Sequence, residues 1–210
     1  MDHIQPKDYP NIIFDLGGVI LNIDYNLTIG AFKSLGLIDF EAKYSQLQQS
    51  DLFNQFERGE ISDMEFRNGI RAQFEKELTD KEIDCAWNAM LLNLPEERIK
   101  LIKALSETKQ IVLLSNTNRI HVESFESALS DEGQLCDFNS LFLKKYYSFE
   151  MGMRKPEKRI FNRVVEEMNF DPSQTLFIDD SPQHVEGAKA IGLKAMLLEV
   201  NKGQTLLDLF

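Results

Sequence analysis

Five short apolar runs, each bounded by turn-forming or polar residues, constrain this chain more than any other feature. They are Asn11–Asp15 (NIIFD), Ile111–Ser115 (IVLLS), Lys145–Phe149 (KYYSF), Thr175–Asp179 (TLFID) and Ala195–Val200 (AMLLEV). Runs of this length and composition are strand signals. Between the later ones the apolar period changes to that of a helix. Arg98–Thr108 places Ile99, Ile102 and Leu105 on one face, and Pro156 opens a helix whose Ile160, Phe161, Val164, Val165 and Met168 form one stripe. Ser181-Pro182 supplies an N-cap followed by proline at the first helical position, and Gly192 closes that helix. Strands that are apolar almost throughout and alternate with helices predict a parallel sheet covered on both faces.

The segment from Asp24 to Leu94 breaks the alternation. It carries two capping boxes, Ser62-x-x-Glu65 and Thr79-x-x-Glu82, in which the first residue and the fourth satisfy each other's orphan backbone donors. Phe66, Ile70, Phe74 and Leu78 follow the first box at intervals of four; Ile83, Ala86, Trp87, Met90 and Leu91 line one side after the second. A crossover between parallel strands needs only a dozen residues or a little more, so this much helix is an insertion. The expected fold class is therefore α/β, a Rossmann-like parallel sheet core with an inserted all-helical cap. The expected boundaries are 1–21 and 95–210 for the core and 22–94 for the cap.

Charge narrows the function classes. The 210-residue chain has a net charge of −11 and no run of Lys and Arg, so it lacks the basic surface that releases counterions from a nucleic acid. Anionic membranes are disfavoured on the same ground. A small phosphorylated ligand remains open, because one or two placed cations and a metal ion suffice for it. No obligate protein partner is inferred. No stretch reaches the ~18 apolar residues of a membrane span, and the leading residues MDHIQPKDYP lack the apolar core of a signal peptide. A cytoplasmic location is expected, with Cys85 and Cys136 as reduced, core-buried thiols. His3, His121 and His184 are too scattered to suggest a zinc site.

In an open parallel sheet, ligands sit outside the carboxyl ends of the strands. Those ends read Asp15 followed by Leu16-Gly17-Gly18, Ser115 followed by Asn116-Thr117-Asn118, then Gly152-Met153-Arg154-Lys155-Pro156, and Asp179-Asp180-Ser181. Taken singly, each is ordinary turn or cap chemistry. Together they bring three carboxylates, a lysine and a hydroxyl to one edge. Three carboxylates in one place repel one another. A divalent cation relieves that, and Mg²⁺ takes one or two carboxylates together with water and substrate phosphate. Lys155 then balances Asp15 and a bound phosphate, while Ser115 and the backbone N–H groups after it offer donors to phosphate oxygens.

The four segments Phe14-Asp15-Leu16-Gly17-Gly18-Val19-Ile20, Leu114-Ser115-Asn116-Thr117-Asn118, Gly152-Met153-Arg154-Lys155-Pro156 and Ile178-Asp179-Asp180-Ser181 resemble the four motifs of the haloacid dehalogenase-like hydrolases. Within that superfamily the chain is most similar to the bacterial phosphatases of α-D-glucose 1-phosphate, whose cap the segment Glu57-Arg58-Gly59-Glu60-Ile61-Ser62 also resembles. The resemblance implies a Mg²⁺-dependent phosphatase of a small phosphorylated metabolite, a sugar phosphate in particular. Asp15 would be the nucleophile that forms an aspartyl-phosphate. The Asp15 carboxylate and the Gly17 carbonyl would hold the metal, with Asp180 as the more direct ligand of the acidic pair and Asp179 binding directly or through water. Ser115 and Asn116 would hold the transferring phosphoryl group, and Lys155 would neutralise it.

One position departs from the family pattern. Most of its phosphatases carry a second Asp two residues after the nucleophile, as general acid and base; here that residue is Gly17. Asp24, on the way into the cap, is a possible substitute and equally a helix N-cap. Arg58 is the candidate substrate contact from the cap. The departure also leaves two alternatives: a 2-haloacid dehalogenase, which needs neither metal nor second Asp, and a catalytically silent phosphate-binding module.

Overall fold

The computed structural model describes residues 4–37, 40 and 51–210; His3 lies outside the described residues. The apolar runs pair as strands β1 (Asn11–Phe14), β2 (Gln110–Ser115), β3 (Lys144–Tyr147), β4 (Thr175–Asp179) and β5 (Lys194–Leu197). They form one parallel sheet in the order β3-β2-β1-β4-β5. Asn11 of the central strand faces Gln110 on one side and Thr175 on the other.

Side chains alternate across a strand, and here both faces are covered. Ile12 and Phe14 pack on one face with Ile111, Leu113, Leu176 and Ile178. Ile13 packs on the other with Val112, Leu114 and Phe177. That double burial is why the strands read as continuous apolar runs.

Between β1 and β2 come α1 (Tyr25–Ser34), α2 (Leu52–Glu57), α3 (Asp63–Phe74) and α4 (Asp80–Asn88). Helix α5 (Glu96–Ser106) then leads into β2. Helices α6 (Arg119–Asp131) and α7 (Leu135–Ser140) follow β2. Helices α8 (Ser148–Met151) and α9 (Lys158–Met168) follow β3, and α10 (Pro182–Lys189) follows β4. Side chains of α5, α6 and α7 cover the Phe14 face, among them Ile102, Phe125 and Phe138. Ile160, Phe161 and Val164 of α9, with Val185 and Ala188 of α10, cover the other.

The inserted helices have their own apolar cluster, in which Phe32, Phe53, Phe56, Phe66, Ile70, Ile83 and Trp87 meet Ile120 of α6. Phe56 stacks on Phe66 at 4.1 Å between ring centroids, and Phe53 on Trp87 at 5.1 Å. Burying a phenylalanine contributes about 1.5–3 kcal/mol, so this cluster holds the helices together without a disulfide. Both capping boxes form as the spacing predicts. The two connections to the sheet run side by side: the N–H of Asp24 donates to the Met90 carbonyl at 2.9 Å, and that of Leu92 to the Asn22 carbonyl at 3.0 Å.

Several sequence expectations are corrected. β3 stops at Tyr147, because the Ser148 hydroxyl donates to the Thr117 carbonyl at 3.0 Å and accepts from its N–H at 2.9 Å, drawing the chain off the ladder. β5 ends at Leu197, and the chain then coils into a 3₁₀ turn at Val200–Lys202. Pro156 precedes α9 without entering it, because the Asn116 side chain holds the Lys155 backbone at both N–H and C=O. Cys85 and Cys136 are exposed thiols: Ile83, Ala86 and Trp87 take the buried face of α4, and Phe138 that of α7. Among the described residues, no helix is long and apolar enough to cross a membrane.

Gly59 sets how closely the inserted helices approach the sheet domain. Its φ is +65°, and an added Cβ would lie 2.2 Å from the Phe149 carbonyl oxygen. Gly133 has a similar φ of +73° with nothing within 4 Å of that position. Gly133→Ala should therefore cost only the left-handed penalty, about 1–2 kcal/mol. Gly59→Ala should cost about 1–3 kcal/mol more, since a backbone oxygen must move. Equal losses in urea unfolding would show that the approach to Phe149 restrains nothing.

Candidate active site

Because all five strands run the same way, their carboxyl ends form one edge, and the polar residues after them meet there. Asp15 follows β1 directly, its N–H donating to the Ile178 carbonyl of β4 at 3.0 Å. Ser115 and Asp179 are the last residues of β2 and β4. Lys155 arrives from the loop after α8 and is fully buried. Its Nζ donates to Asp15 Oδ1 at 2.6 Å and to Asp179 Oδ2 at 2.6 Å. Asp15, Asp179 and Asp180 each offer a carboxylate oxygen, and these lie within 4.8 Å of one another.

The three carboxylates are not equivalent. Burial works against charge on Asp179, but Lys155 and His184 outweigh it and hold the group down to about 2. Its Oδ1 accepts from the Ser181 N–H at 2.8 Å and lies 3.0 Å from His184 Nδ1. For Asp15, burial dominates; Asp179 and Asp180 add to it, Lys155 only partly offsets it, and the carboxyl is pushed up to about 7. Asp180 is also raised, by burial and then by Asp179. Burial alone would lower the Lys155 ammonium, yet the two carboxylates beside it carry it above its ordinary value.

One ammonium beside three carboxylates leaves negative charge in excess, and an all-oxygen donor set of this size suits a hard divalent cation. The backbone makes room for it. Gly18 has φ +78°, and a Cβ there would lie 2.2 Å from Asp180 Oδ2. Only glycine lets the Asp180 carboxylate lie against the turn after β1. That turn is closed by the Gly18 N–H donating to the Leu21 carbonyl and the Leu21 N–H to the Leu16 carbonyl, each at 2.8 Å.

Above this edge lies a cavity of about 380 Å³ between the sheet domain and the inserted helices. Asp15, Gly17, Ser115, Asn116 and Asp180 line it, as the motifs lead one to expect. Lys155 and Asp179 sit beneath, fully buried. The Ser115 hydroxyl makes only a long 3.5 Å contact to the Asn116 carbonyl. The Asn116 side chain is committed to Lys155. Its amide accepts from the Lys155 N–H at 2.8 Å and donates to the Lys155 carbonyl at 2.9 Å. Its side chain positions Lys155.

Arg58 is a correction. It is absent from the cavity wall, and its guanidinium is taken up by Glu60 at 2.7 Å and Asp51 at 3.4 Å. The preceding residue, Glu57, lines the cavity, because Arg58 caps the end of α2 where the chain turns away. Asp24 serves as the N-cap of α1, accepting from the Asn26 N–H at 2.9 Å, and stands in a neighbouring groove. Glu57, His121, Arg154 and His184 were not singled out by sequence, yet all line the cavity. Arg154 and Glu57 lay inside quoted motifs, so proximity was a signal; the two histidines carried none.

His121 joins the two parts of the molecule. Its Nδ1 faces Asn118 Nδ2 at 3.2 Å and its Nε2 faces the Trp87 carbonyl at 3.3 Å. An amide nitrogen only donates, so Nδ1 accepts and Nε2–H donates to Trp87. Burial pushes the ring down to about 4, so it is neutral, and it stacks on Trp87 at 4.8 Å.

The chain is similar to known proteins. Residues 9–192 match the haloacid dehalogenase-like hydrolase family. The chain is 32% identical over 185 residues to the D-ribitol-5-phosphate phosphatase of Bacteroides thetaiotaomicron, covering 88% of this chain and 89% of that protein. A crystal structure of a haloacid dehalogenase family enzyme from the same organism, in complex with magnesium and inorganic phosphate, superposes with a TM-score of 0.79 at 37% identity, covering 90% of this chain and 93% of that one. A haloacid dehalogenase-like hydrolase of Porphyromonas gingivalis gives 0.81 at 32% identity, over 90% and 91% of the two chains. With the Asp15 turn, the buried lysine and the acidic pair in place at one sheet edge, the chain belongs to the haloacid dehalogenase-like hydrolase family.

Proposed function

We propose that the protein is a Mg²⁺-dependent phosphatase that hydrolyses a small phosphorylated metabolite through an aspartyl-phosphate on Asp15. The observation that carries this reading is the buried Lys155 ammonium at 2.6 Å from both Asp15 and Asp179, with the three carboxylates within reach of one cation. Residues 1–21 and 95–210 act as the catalytic core and 22–94 as the cap. The metal ligands are Asp15, the Gly17 carbonyl, Asp180 and, directly or through water, Asp179. Bound there, Mg²⁺ supplies countercharge to the carboxylates and to the phosphoryl group.

The chain's own residues do the rest. Lys155 holds one Asp15 oxygen, which orients the other toward the cavity for attack on phosphorus. The Ser115 hydroxyl, without a strong partner of its own, donates to a phosphoryl oxygen. Positioning and charge stabilisation are most of what phosphoryl transfer asks of a protein. A sugar or polyol phosphate is the substrate class, supported by the D-ribitol-5-phosphate phosphatase among the relatives. A small metabolite also suits a chain of net charge −11, which repels nucleic acids and anionic membranes. The two exposed free cysteines suit a reducing, cytoplasmic setting.

Asp15→Asn should leave the fold intact and cut kcat by roughly a thousandfold or more, about 4 kcal/mol of barrier. A panel of ribitol 5-phosphate, α-D-glucose 1-phosphate and other sugar phosphates, run with and without chelator, measures it. An active but merely destabilised variant would make Asp15 a turn residue. Haloacid turnover in chelator would favour the dehalogenase.

Gly18→Ala forces a Cβ against Asp180. Displacing a metal ligand's support costs about 10–100-fold in metal affinity, so the Mg²⁺ concentration for half-maximal activity should rise by that factor. An unchanged requirement would remove Asp180 from the ligand set.

Mg²⁺ affinity should also depend on pH in a definite direction. With Asp15 raised to about 7, the metal-free protein carries a proton there below that pH, and the metal must expel it. Affinity should climb as pH rises toward 7 and then level, with proton release on binding, measured by calorimetry in buffers of different ionisation enthalpy. Asp179, held near 2, contributes nothing in this window.

A further inference from the structure

Gly17 leaves the cavity without the family's usual acid, and folding does not restore one from the same segment. A side chain at Gly17 would face Ile23, whose Cδ1 lies 3.2 Å from the Cβ position. Asp24 is spent on the N-terminus of α1 and lies outside the cavity. Both histidines on the cavity wall are engaged at one ring nitrogen or more. Both ring nitrogens of His121 are bonded. His184 presents Nδ1 to Asp179. Tyr25 stands at the rim, 54% exposed.

Glu57 is different. It enters from the last turn of α2 and lines the same cavity as Asp15 and Ser115. Its Oε2 is buried and faces Arg154 Nε at 2.8 Å, but neither atom makes an aligned hydrogen bond. Arg154 spends Nη1 on Asn54 Oδ1 at 2.5 Å.

We propose that Glu57 is the general acid and base of this enzyme, delivered by the cap in place of the residue missing at Gly17. The proposal rests on the phosphatase reading and deepens it. In the first step an Asp15 oxygen bonds to phosphorus and the ester P–O bond breaks. Its electron pair passes to the ester oxygen, which takes the Glu57 proton. In the second, water oxygen bonds to phosphorus and the P–O bond to Asp15 breaks, returning the electron pair to the carboxylate. The water proton passes to Glu57. Burial raises the Glu57 carboxyl above its ordinary range, and the facing groups Arg154, His184 and Lys155 only partly offset that. An acid of this kind suits proton transfer near neutral pH. Because α2 belongs to the cap, the proton donor is complete only when the cap is docked.

The test compares p-nitrophenyl phosphate, whose leaving group needs no proton, with phenyl phosphate, whose leaving group does. Proton transfer by a placed group is worth about 10²–10⁴-fold. Glu57→Gln should therefore cut kcat/KM for phenyl phosphate by at least about 100-fold while changing that for p-nitrophenyl phosphate only a few-fold. A structural role for the Glu57–Arg154 pair would lower both equally, and an unchanged ratio overturns the proposal. The wild-type enzyme gives a second reading that no folding defect can obscure. Its kcat/KM for phenyl phosphate should fall on the alkaline side in a limb that p-nitrophenyl phosphate lacks, and superimposable profiles likewise overturn it. Asp15→Asn separates the two levels: if that variant keeps its activity, the phosphatase mechanism itself fails, whatever Glu57 does.

Discussion

The buried Lys155 ammonium is the interaction on which the rest of the molecule depends. A charge without solvent costs several kcal/mol unless it is paired and hydrogen-bonded, and Lys155 is fully buried. It is paired twice, with Asp15 after β1 and Asp179 at the end of β4, which are adjacent strands. Its backbone is held at both polar groups by Asn116 after β2. A single residue thus ties three strand ends together. The apolar sheet beneath, with Phe177 5.4 Å under the ammonium, excludes the water that would weaken these contacts.

That one cation sorts the carboxylates. Asp179 has Lys155, His184 and the Ser181 N–H, and stays ionised. Asp15 shares the same lysine and sits high because burial outweighs it. Asp180 lies against Gly18, where only a hydrogen intervenes. Two similar groups with different surroundings perform different tasks, a recurring device in acid–base chemistry. Here it leaves a carboxyl raised to about 7 facing the cavity.

The cap is built as a separate apolar cluster and touches the site through few, specific contacts. Gly59 permits close approach to Phe149, His121 bonds and stacks on Trp87, and Arg154 meets Glu57. Beside them, Ile120 of α6 packs into the apolar cluster of the cap. A joint that combines one apolar contact with directed polar ones can place a side chain accurately.

Local chemistry made much of this protein legible in its amino-acid order. Period-2 burial on both faces appears as unbroken apolar runs, and the capping boxes at Ser62 and Thr79 are self-contained over four residues. Parallel strands send their carboxyl ends to one edge, so Asp15, Ser115, Asp179 and Asp180 could be gathered without knowing the strand order. What could not be read depends on distance in three dimensions. Arg58 and Glu57 are neighbours, and only the docking of α2 decided that one pairs locally while the other reaches the cavity. That the Asn116 side chain holds the Lys155 backbone could be seen only once the loop after α8 came within its reach. Cys85 and Cys136, apolar by type, fell on outward faces because larger neighbours took the inward ones. The sequence by itself determined the strands, the caps and the polar edge that carries Asp15, since these follow from residue type and short-range periodicity. The tertiary structure alone decided which side chains of the cap and loops face Asp15, because that choice is made by packing between segments far apart in the chain.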